Sequence, residues 1–268
     1  MRLDRILLGA GVAMMMVACV PVSNVQGNAN SSEGSKINRQ SKAEQKQEGA
    51  RIHTELAQQY LANGDLEDAL VKINKALQFD PNYVPAHTVA AVIYERINDL
   101  PNAELHYRKA ASLAPDKGDT NNNLGWFLCN REDKTAESQA YFQKAVADPF
   151  YQTPSLAWTN AGICQAKGQN LAAAEADFRK AIEIDPKSGG ALYQLANVLY
   201  LQNDAFRARA FIQRYEAQGQ PTAASLKLGH DIEARLGNKD AALNYSRRLQ
   251  SQFPDSEQAR ALDATARQ

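Results

Sequence analysis

The feature that most constrains this chain is a small residue that recurs six times at an almost constant interval. Successive members are 34, 34, 37, 34 and 33 residues apart. Each is followed by a second small residue and then, four positions later, by an aromatic or aliphatic one. Such a period is typical of stacked helix pairs, in which small residues let two antiparallel helices cross closely. The first series is Ala57, Ala91, Gly125, Gly162, Ala196 and Gly229, and the pairs that follow are Ala69/Ile73, Ala103/Tyr107, Ser138/Phe142, Ala174/Phe178, Ala208/Ile212 and Ala241/Tyr245.

Residues 155–186 carry the pattern most completely, as Trp158, Gly162, Ala174, Phe178, Ala181 and Pro186. At this spacing they resemble the tetratricopeptide repeat (TPR). The resemblance implies an all-α, right-handed solenoid of about six helix–turn–helix repeats with a short C-terminal capping helix. The alternative is a helical bundle without repeats, which gives no reason for the period, the small residue and the closing proline to coincide.

The period also sets the expected domain boundaries. Residues 1–18 are a signal segment, and the polar stretch 19–48 reads as a flexible tether whose end, 41–48, is compatible with an extension of the first helix. Residues 257–268 form a C-terminal helix or tail. The six repeats are expected at 49–83, 84–117, 118–154, 155–188, 189–221 and 222–256.

The turns inside the repeats contain Gly or Asn, residues that tolerate a positive φ. The third repeat is irregular, with one extra residue in its turn and two in its exit segment, 148–154, which accounts for the 37-residue interval. The other turns are expected at 63–65, 97–99, 167–169, 202–204 and 236–238.

The first nineteen residues resemble a bacterial lipoprotein signal. Arg2 and Arg5 precede an apolar run of about twelve residues that is too short for a permanent transmembrane helix. The run ends in a sequence similar to a lipobox, with Met16 at the place of the more usual leucine. The resemblance implies lipidation of Cys19 and, because Val20 is not aspartate, a lipid-anchored protein on the periplasmic face of the outer membrane of a Gram-negative bacterium. An ordinary secretory signal cleaved elsewhere is the alternative.

The sequence offers no constellation of catalytic side chains, so an enzyme is not expected. The four histidines lie in different repeats without metal-ligand spacing, and neither a phosphate-binding glycine loop nor a nucleophile elbow occurs. We therefore expect no cofactor, no metal and no small-molecule substrate. The 30 basic and 30 acidic residues cancel, and no basic region marks a nucleic-acid site.

Cys129 and Cys164 remain when Cys19 is set aside. They lie near the ends of the first helices of repeats three and four, which are neighbours in a TPR stack. In an exported protein such a pair favours a disulfide. Two separately buried, inert cysteines are the alternative.

The first helices of a TPR stack line its concave surface, so their phase predicts a partner groove. The expected lining is mixed apolar and polar, which suits an amphipathic helix or an extended peptide. It lacks the cluster of Lys and Arg that a clamp for carboxylate tails requires. The alternative is that several of these residues simply pack between repeats. The groove residues are Thr54, Gln58, Leu61, Thr88, Val92, Glu95, Asn122 and Trp126, with Arg51, Thr159 and Ile163 in the same phase.

Three runs narrow the resemblance further: residues 122–129 (NNLGWFLC), the segment 148–154 (DPFYQTP) and residues 160–164 (NAGIC). They are similar to runs of the type IV pilus biogenesis/stability lipoprotein family, with Leu124 where tyrosine is commoner. The resemblance implies a pilotin, which binds subunits of the pilus secretin and promotes their outer-membrane insertion and multimerisation. The alternative is a general envelope TPR adaptor that scaffolds peptidoglycan enzymes or proteases.

Overall fold

The computed structural model describes residues 41–131, 134–219 and 221–266. The signal segment, Cys19 and the tether up to residue 40 lie outside these described residues. Within them the chain is entirely helical outside its turns, and Gln40–Gln268 form one compact unit. The helices are α1 Lys42–Asn63, α2 Leu66–Phe79, α3 Val84–Arg96, α4 Leu100–Leu113, α5 Gly118–Cys129, α6 Thr135–Ala147, α7 Pro154–Lys167, α8 Leu171–Ile184, α9 Gly189–Leu201, α10 Ala205–Glu216, α11 Ala223–Arg235, α12 Lys239–Gln252 and α13 Glu257–Ala266.

These helices form six antiparallel pairs, α1/α2 to α11/α12, and α13 follows as a cap. Each helix contacts its successor, and first helices of neighbouring repeats contact one another, as α1 does α3 and α5 does α7. The core therefore runs along the stack rather than around one centre. The predicted all-α TPR solenoid is confirmed.

The periodic small residues lie under the large side chains of the second helices. A Cβ atom at Gly162 would stand 2.6 Å from the ring of Phe178, which is fully buried. A Cβ at Gly125 would stand 2.9 Å from Phe142, and one at Gly229 2.4 Å from Tyr245. In repeats three, four and six the aromatic ring lies so close that only glycine fits, whereas repeats one and five combine alanine with the smaller Ile. The second repeat places Tyr107 in the same buried cluster as Ala91, so an aromatic ring at this place does not by itself require glycine.

The turns inside the repeats place one residue in the left-handed region, where its backbone N–H and that of the next residue cap the preceding helix. In four repeats this residue is Gly or Asn, as expected. In the fourth repeat it is Gln169, with φ of 61°, whereas Gly168 before it has φ of −77°. The position is fixed by helix length, because α7 ends at Lys167. The residues with positive φ in these turns are Gly64, Asn98, Gln169, Asn203 and Gly237.

Gln169→Gly is therefore expected to stabilise the protein by about 0.5–1 kcal/mol, because glycine removes the left-handed strain at a partly offsetting entropic cost. Chemical denaturation measures the effect. The matched control is Gly168→Ala, whose new Cβ meets only ordinary contacts at 3.5 Å and beyond and should change stability by less. Destabilisation by Gln169→Gly would contradict this assignment of strain.

The exit segment of the third repeat, residues 148–154, is held by two contacts. The side chain of Asp148 accepts hydrogen bonds from the backbone N–H groups of Gly118 and Phe150, both at 2.9 Å. The buried ring of Tyr151 lies against Gly118, where a Cβ would be only 2.4 Å from the ring. The extra residues are thus an ordered turn between α6 and α7.

The first and the last helix of the solenoid, α1 and α13, each start at a capping residue. Residues 42–48, predicted as the end of the tether or an extension of the first helix, belong to α1, because Ser41 and Glu44 form a capping box that starts the helix there. At the other end Ser256 accepts a hydrogen bond from the backbone N–H of Ala259. Ala259 and Leu262 are buried against the last repeat. No helix among the described residues is long and apolar enough to cross a membrane.

Candidate partner-binding groove

An open depression of about 280 Å³ lies on the first-helix surface of repeats one to three. Gln58 of α1 forms one side, Pro85 and Thr88 of α3 the floor, and Lys117 and Asp119 at the start of α5 the other side. The remaining lining residues are Val84, Val89, Thr120 and Asn123. One lysine and one aspartate give it no net charge, so it suits a mixed polar and apolar segment rather than a carboxylate tail.

A second depression of about 440 Å³ repeats the first further along the stack. Its residues Ser155, Leu156 and Thr159 stand 71 positions after Val84, Pro85 and Thr88, and its Ser188 and Gly190 stand 71 after Lys117 and Asp119. The two depressions therefore occupy equivalent places two repeats apart. Such spacing fits one extended peptide or helix better than it fits two small ligands.

In the structure the predicted groove residues fall into three groups: residues that line the first depression, buried residues and half-buried residues. Gln58 and Thr88 line the first depression. Thr54 and Asn122 are corrections: both are buried, Thr54 donates to the carbonyl of Ala50 at 2.7 Å, and Asn122 accepts from the side chain of Asn160 at 3.0 Å. Close packing between first helices covers them, so they hold the repeats together instead of facing a partner.

The other predicted groove residues are half-buried and pack within the stack. Leu61 and Val92 contact the apolar clusters of the first and second repeats. Glu95 accepts a hydrogen bond from the buried hydroxyl of Tyr107 at 3.0 Å. Trp126 packs beside the cysteines, with the ammonium of Lys167 5.4 Å from its ring. The alternative left open by the sequence, packing between repeats, describes these residues.

Sequence reasoning missed the residues near the start of the first helices, such as Pro85 and Asp119. The predicted groove follows the middle of each first helix, whereas both depressions lie towards the N-terminal ends of these helices. The available signal was the second or third helical position, which holds Pro85, Asp119, Leu156 and Gly190 in successive repeats and is exposed in all four.

His87 of α3 and His106 of α4 pack against each other, with their ring centroids 5.1 Å apart. His87 Nε2 lies 2.9 Å from the carbonyl of Pro81, and its Nδ1 lies 2.9 Å from Nδ1 of His106. Because a carbonyl can only accept, the proton of His87 resides on Nε2 and His106 donates to its Nδ1. Burial lowers the pKa of both imidazoles, which keeps the pair neutral. No group of three metal-ligating side chains occurs in the part of the chain that the structure describes.

Cys129 and Cys164 are joined as a disulfide with their Cα atoms 5.6 Å apart. The bond links α5 to α7, and both cysteines are buried beside Phe142. The hydroxyl of Ser138 lies 3.0 Å from the sulfur of Cys164. The irregular third repeat is thus tied directly to the fourth.

Family models described as tetratricopeptide repeat match most of the solenoid. One matches 54–118 and 131–189, a second 166–228 and a third 223–256. This chain is a TPR protein. It is 37% identical to PilW, described as a widely conserved type IV pilus biogenesis factor, whose crystal structure it matches with a TM-score of 0.74 over 80% of this chain and 97% of that one.

Two further proteins are similar to the TPR protein, and one of them is also described as a pilus assembly protein. The type IV pilus assembly protein PilF of Pseudomonas aeruginosa is 26% identical over 209 residues, which are 78% of this chain and 82% of PilF. Its structure gives a TM-score of 0.72 at 25% identity and covers 82% of this chain and 99% of that one. An uncharacterized protein of Haemophilus influenzae is 31% identical over 53% of this chain and 78% of its own. This chain is therefore homologous to the pilus biogenesis factors PilF and PilW.

Proposed function

We propose that this TPR protein binds subunits of a type IV pilus secretin, promotes their outer-membrane localisation and multimerisation, and so supports pilus biogenesis. The observation that carries the proposal is the similarity to PilW, which extends over 97% of that chain at 37% identity. The relatives are described as pilus biogenesis and assembly proteins. Secretin as the client comes from the family resemblance of residues 122–164.

The solenoid acts by holding a partner. The TPR fold is a scaffold for protein interactions, and the two equivalent depressions on its first-helix surface offer a track for one extended segment of a client. A lipid on Cys19, with the polar stretch that follows it, would carry this track at the outer membrane while leaving it accessible from the periplasm. The early repeats lie nearest the anchor in the sequence, so the first depression is the proposed primary site.

Deletion of the gene is expected to abolish surface pili and to reduce secretin multimers severely, while secretin monomers persist. Gel analysis of unheated envelopes and electron microscopy of cells measure the two effects. Normal multimers and pili in the deletion strain would contradict the proposal and leave the general envelope adaptor as the function.

The anchor is tested separately with Cys19→Ser. This variant should leave the outer-membrane fraction and be found in soluble periplasm or as unprocessed precursor, because the acyl chains that hold it would be lost. Fractionation with a known lipoprotein as marker decides the outcome. A Cys19→Ser protein that stays in the outer membrane would contradict lipid anchoring without bearing on secretin binding.

The site is tested by charge at exposed groove positions. Gln58→Arg with Asp119→Arg should weaken co-purification of the secretin at least tenfold, because both side chains project into the first depression. The matched control is Leu156→Arg with Gly190→Arg in the equivalent second depression. Circular dichroism checks that both pairs fold. Loss of binding only in the control pair would move the primary site to the second depression.

A further inference from the structure

Although the formal net charge of the chain is zero, its basic residues recur at one position of the repeat. The second helix of each repeat carries a basic residue two positions after the large apolar residue that packs at the helix crossing. All six are exposed. They form a column that follows the stack, and we call it the basic column: Lys75, Lys109, Lys144, Lys180, Arg214 and Arg247.

A column of apolar residues lies one helical turn earlier on the same helices. Residues four apart share a helix face, so the apolar and basic columns lie on the same face. The apolar column stands two positions, or about 200° around the helix, after the second small residue of each repeat. Both columns therefore lie on the exposed side of the second helices, although the ammonium of Lys180 reaches the ring of Trp158 on α7, 3.9 Å from its centroid. All six apolar residues are exposed: Val71, Leu105, Ala140, Ala176, Ala210 and Leu243.

The basic column forms few close ion pairs with the rest of the protein, although the ammonium groups of Lys144 and Lys180 lie 4.9 Å and 3.9 Å from the ring centroids of Tyr141 and Trp158. Among the described residues Lys109 and Lys144 form no ion pair, and the pair between Lys180 and Asp177 is long at 3.8 Å. In contrast, Arg108 and Arg179 beside the column bind carboxylates of the solenoid at 2.7–3.0 Å. Because the fold already pairs those arginines, the exposed lysines of repeats two to four are available to an external anion.

Phe150 adds a rigid apolar anchor at the edge of this face. Its side chain is 76% exposed, although the turn that carries it is held by Asp148 and by the buried ring of Tyr151. Phe150 and Lys144 line the same depression, together with Lys117 and two acidic residues, Asp116 and Asp148. The turn therefore presents an exposed aromatic ring beside two ammonium groups and two carboxylates.

We propose that the outer face of repeats two to four, formed by Leu105, Lys109, Lys144, Phe150 and Lys180, docks on an anionic phospholipid bilayer. Spaced ammonium groups match a continuous anionic surface, and an exposed aromatic ring matches the headgroup–acyl boundary. A protein partner is less well matched, because the middle of the apolar column is alanine and offers no pocket for anchor side chains. The proposal goes beyond the pilus function and does not depend on it.

The length of the polar segment is compatible with such docking. Twenty-one residues separate Cys19 from Ser41, which reach about 70 Å when extended. A lipid on Cys19 would therefore let the solenoid lie along the same bilayer.

The test uses the chain from Val20 onwards, which keeps every helix of the solenoid and lacks both the apolar signal and Cys19. We expect it to co-sediment with vesicles of phosphatidylcholine containing about 30% phosphatidylglycerol, and to bind pure phosphatidylcholine far more weakly. The triple variant Lys109→Glu, Lys144→Glu, Lys180→Glu should need at least tenfold more lipid for half-binding, since each basic residue near an anionic surface contributes roughly fivefold. The matched control reverses three exposed cations off this face, Lys46, Arg96 and Lys187.

Insertion of the ring at position 150 is measured with Phe150→Trp and vesicles of brominated lipid, which should quench the fluorescence of this variant more than that of the unsubstituted chain with its Trp126 and Trp158. Equal binding to neutral and anionic vesicles, equal loss of binding in the control, or no additional quenching would each overturn the proposal. Because the chain from Val20 onwards lacks Cys19 and no secretin is present in the assay, these outcomes are independent of the lipid anchor and of the pilus function.

Discussion

Replacing both Cys129 and Cys164 by alanine is expected to destabilise the solenoid by about 3–4 kcal/mol, which lowers Tm by roughly 10 °C. The bond closes a loop with a sequence separation of 35 residues and joins the first helices of two repeats. Its loss frees the unfolded chain and also removes two buried sulfurs from the cluster around Phe142. The measurement is chemical and thermal unfolding of the chain from Val20 onwards.

The single variants provide the control. Cys129→Ala and Cys164→Ala each break the same bond, so each should lose nearly as much stability as the double variant. Reductant should lower the Tm of the wild-type protein and leave that of the double variant unchanged. A wild-type Tm that does not respond to reductant under unfolding conditions would show that the disulfide contributes no stability.

Gly162→Ala is expected to destabilise the protein by about 1–3 kcal/mol, although alanine favours a helix by about 1 kcal/mol. The added Cβ would lie 2.6 Å from the buried ring of Phe178, which has no free space into which to move. Gly190→Ala is the matched control, because the nearest atom to its Cβ is 3.7 Å away. That variant should be neutral or stabilising in the same unfolding experiment.

A double variant tests whether the residues at positions 162 and 178 are in direct contact. Repeats one and five combine alanine with isoleucine at this crossing, as Ala57 with Ile73 and Ala196 with Ile212. Phe178→Ile alone should destabilise by leaving a cavity. Combined with Gly162→Ala it should cost less than the sum of the single variants, because the new methyl group fills part of that cavity. Simple additivity would contradict direct contact between the two positions.

The sequence by itself determined the fold, because the residues that stabilise the fold contact one another within a repeat or between neighbouring repeats. A small residue, a second small residue, a large apolar residue and a turn recur in phase, and each repeat needs only its neighbours to bury its apolar face. The position of the two cysteines on adjacent first helices follows from the same period. The recurrence of Gly162 and Phe178 at equivalent places in other repeats is visible in the sequence, whereas their direct contact is shown by the structure.

The groove and the outer face depended on tertiary structure. Helical phase puts Thr54, Asn122 and Gln58 on the same side of their helices, yet only the separation of neighbouring helices decides which of them is covered. Gln169 rather than Gly168 takes the positive φ because α7 ends at Lys167. Exposure of Phe150 next to buried Tyr151 likewise follows from the ring of Tyr151 filling the space above Gly118. Periodicity along one helix fixes the direction of a side chain, whereas its accessibility is set by the distance to the next helix, which the sequence does not encode locally.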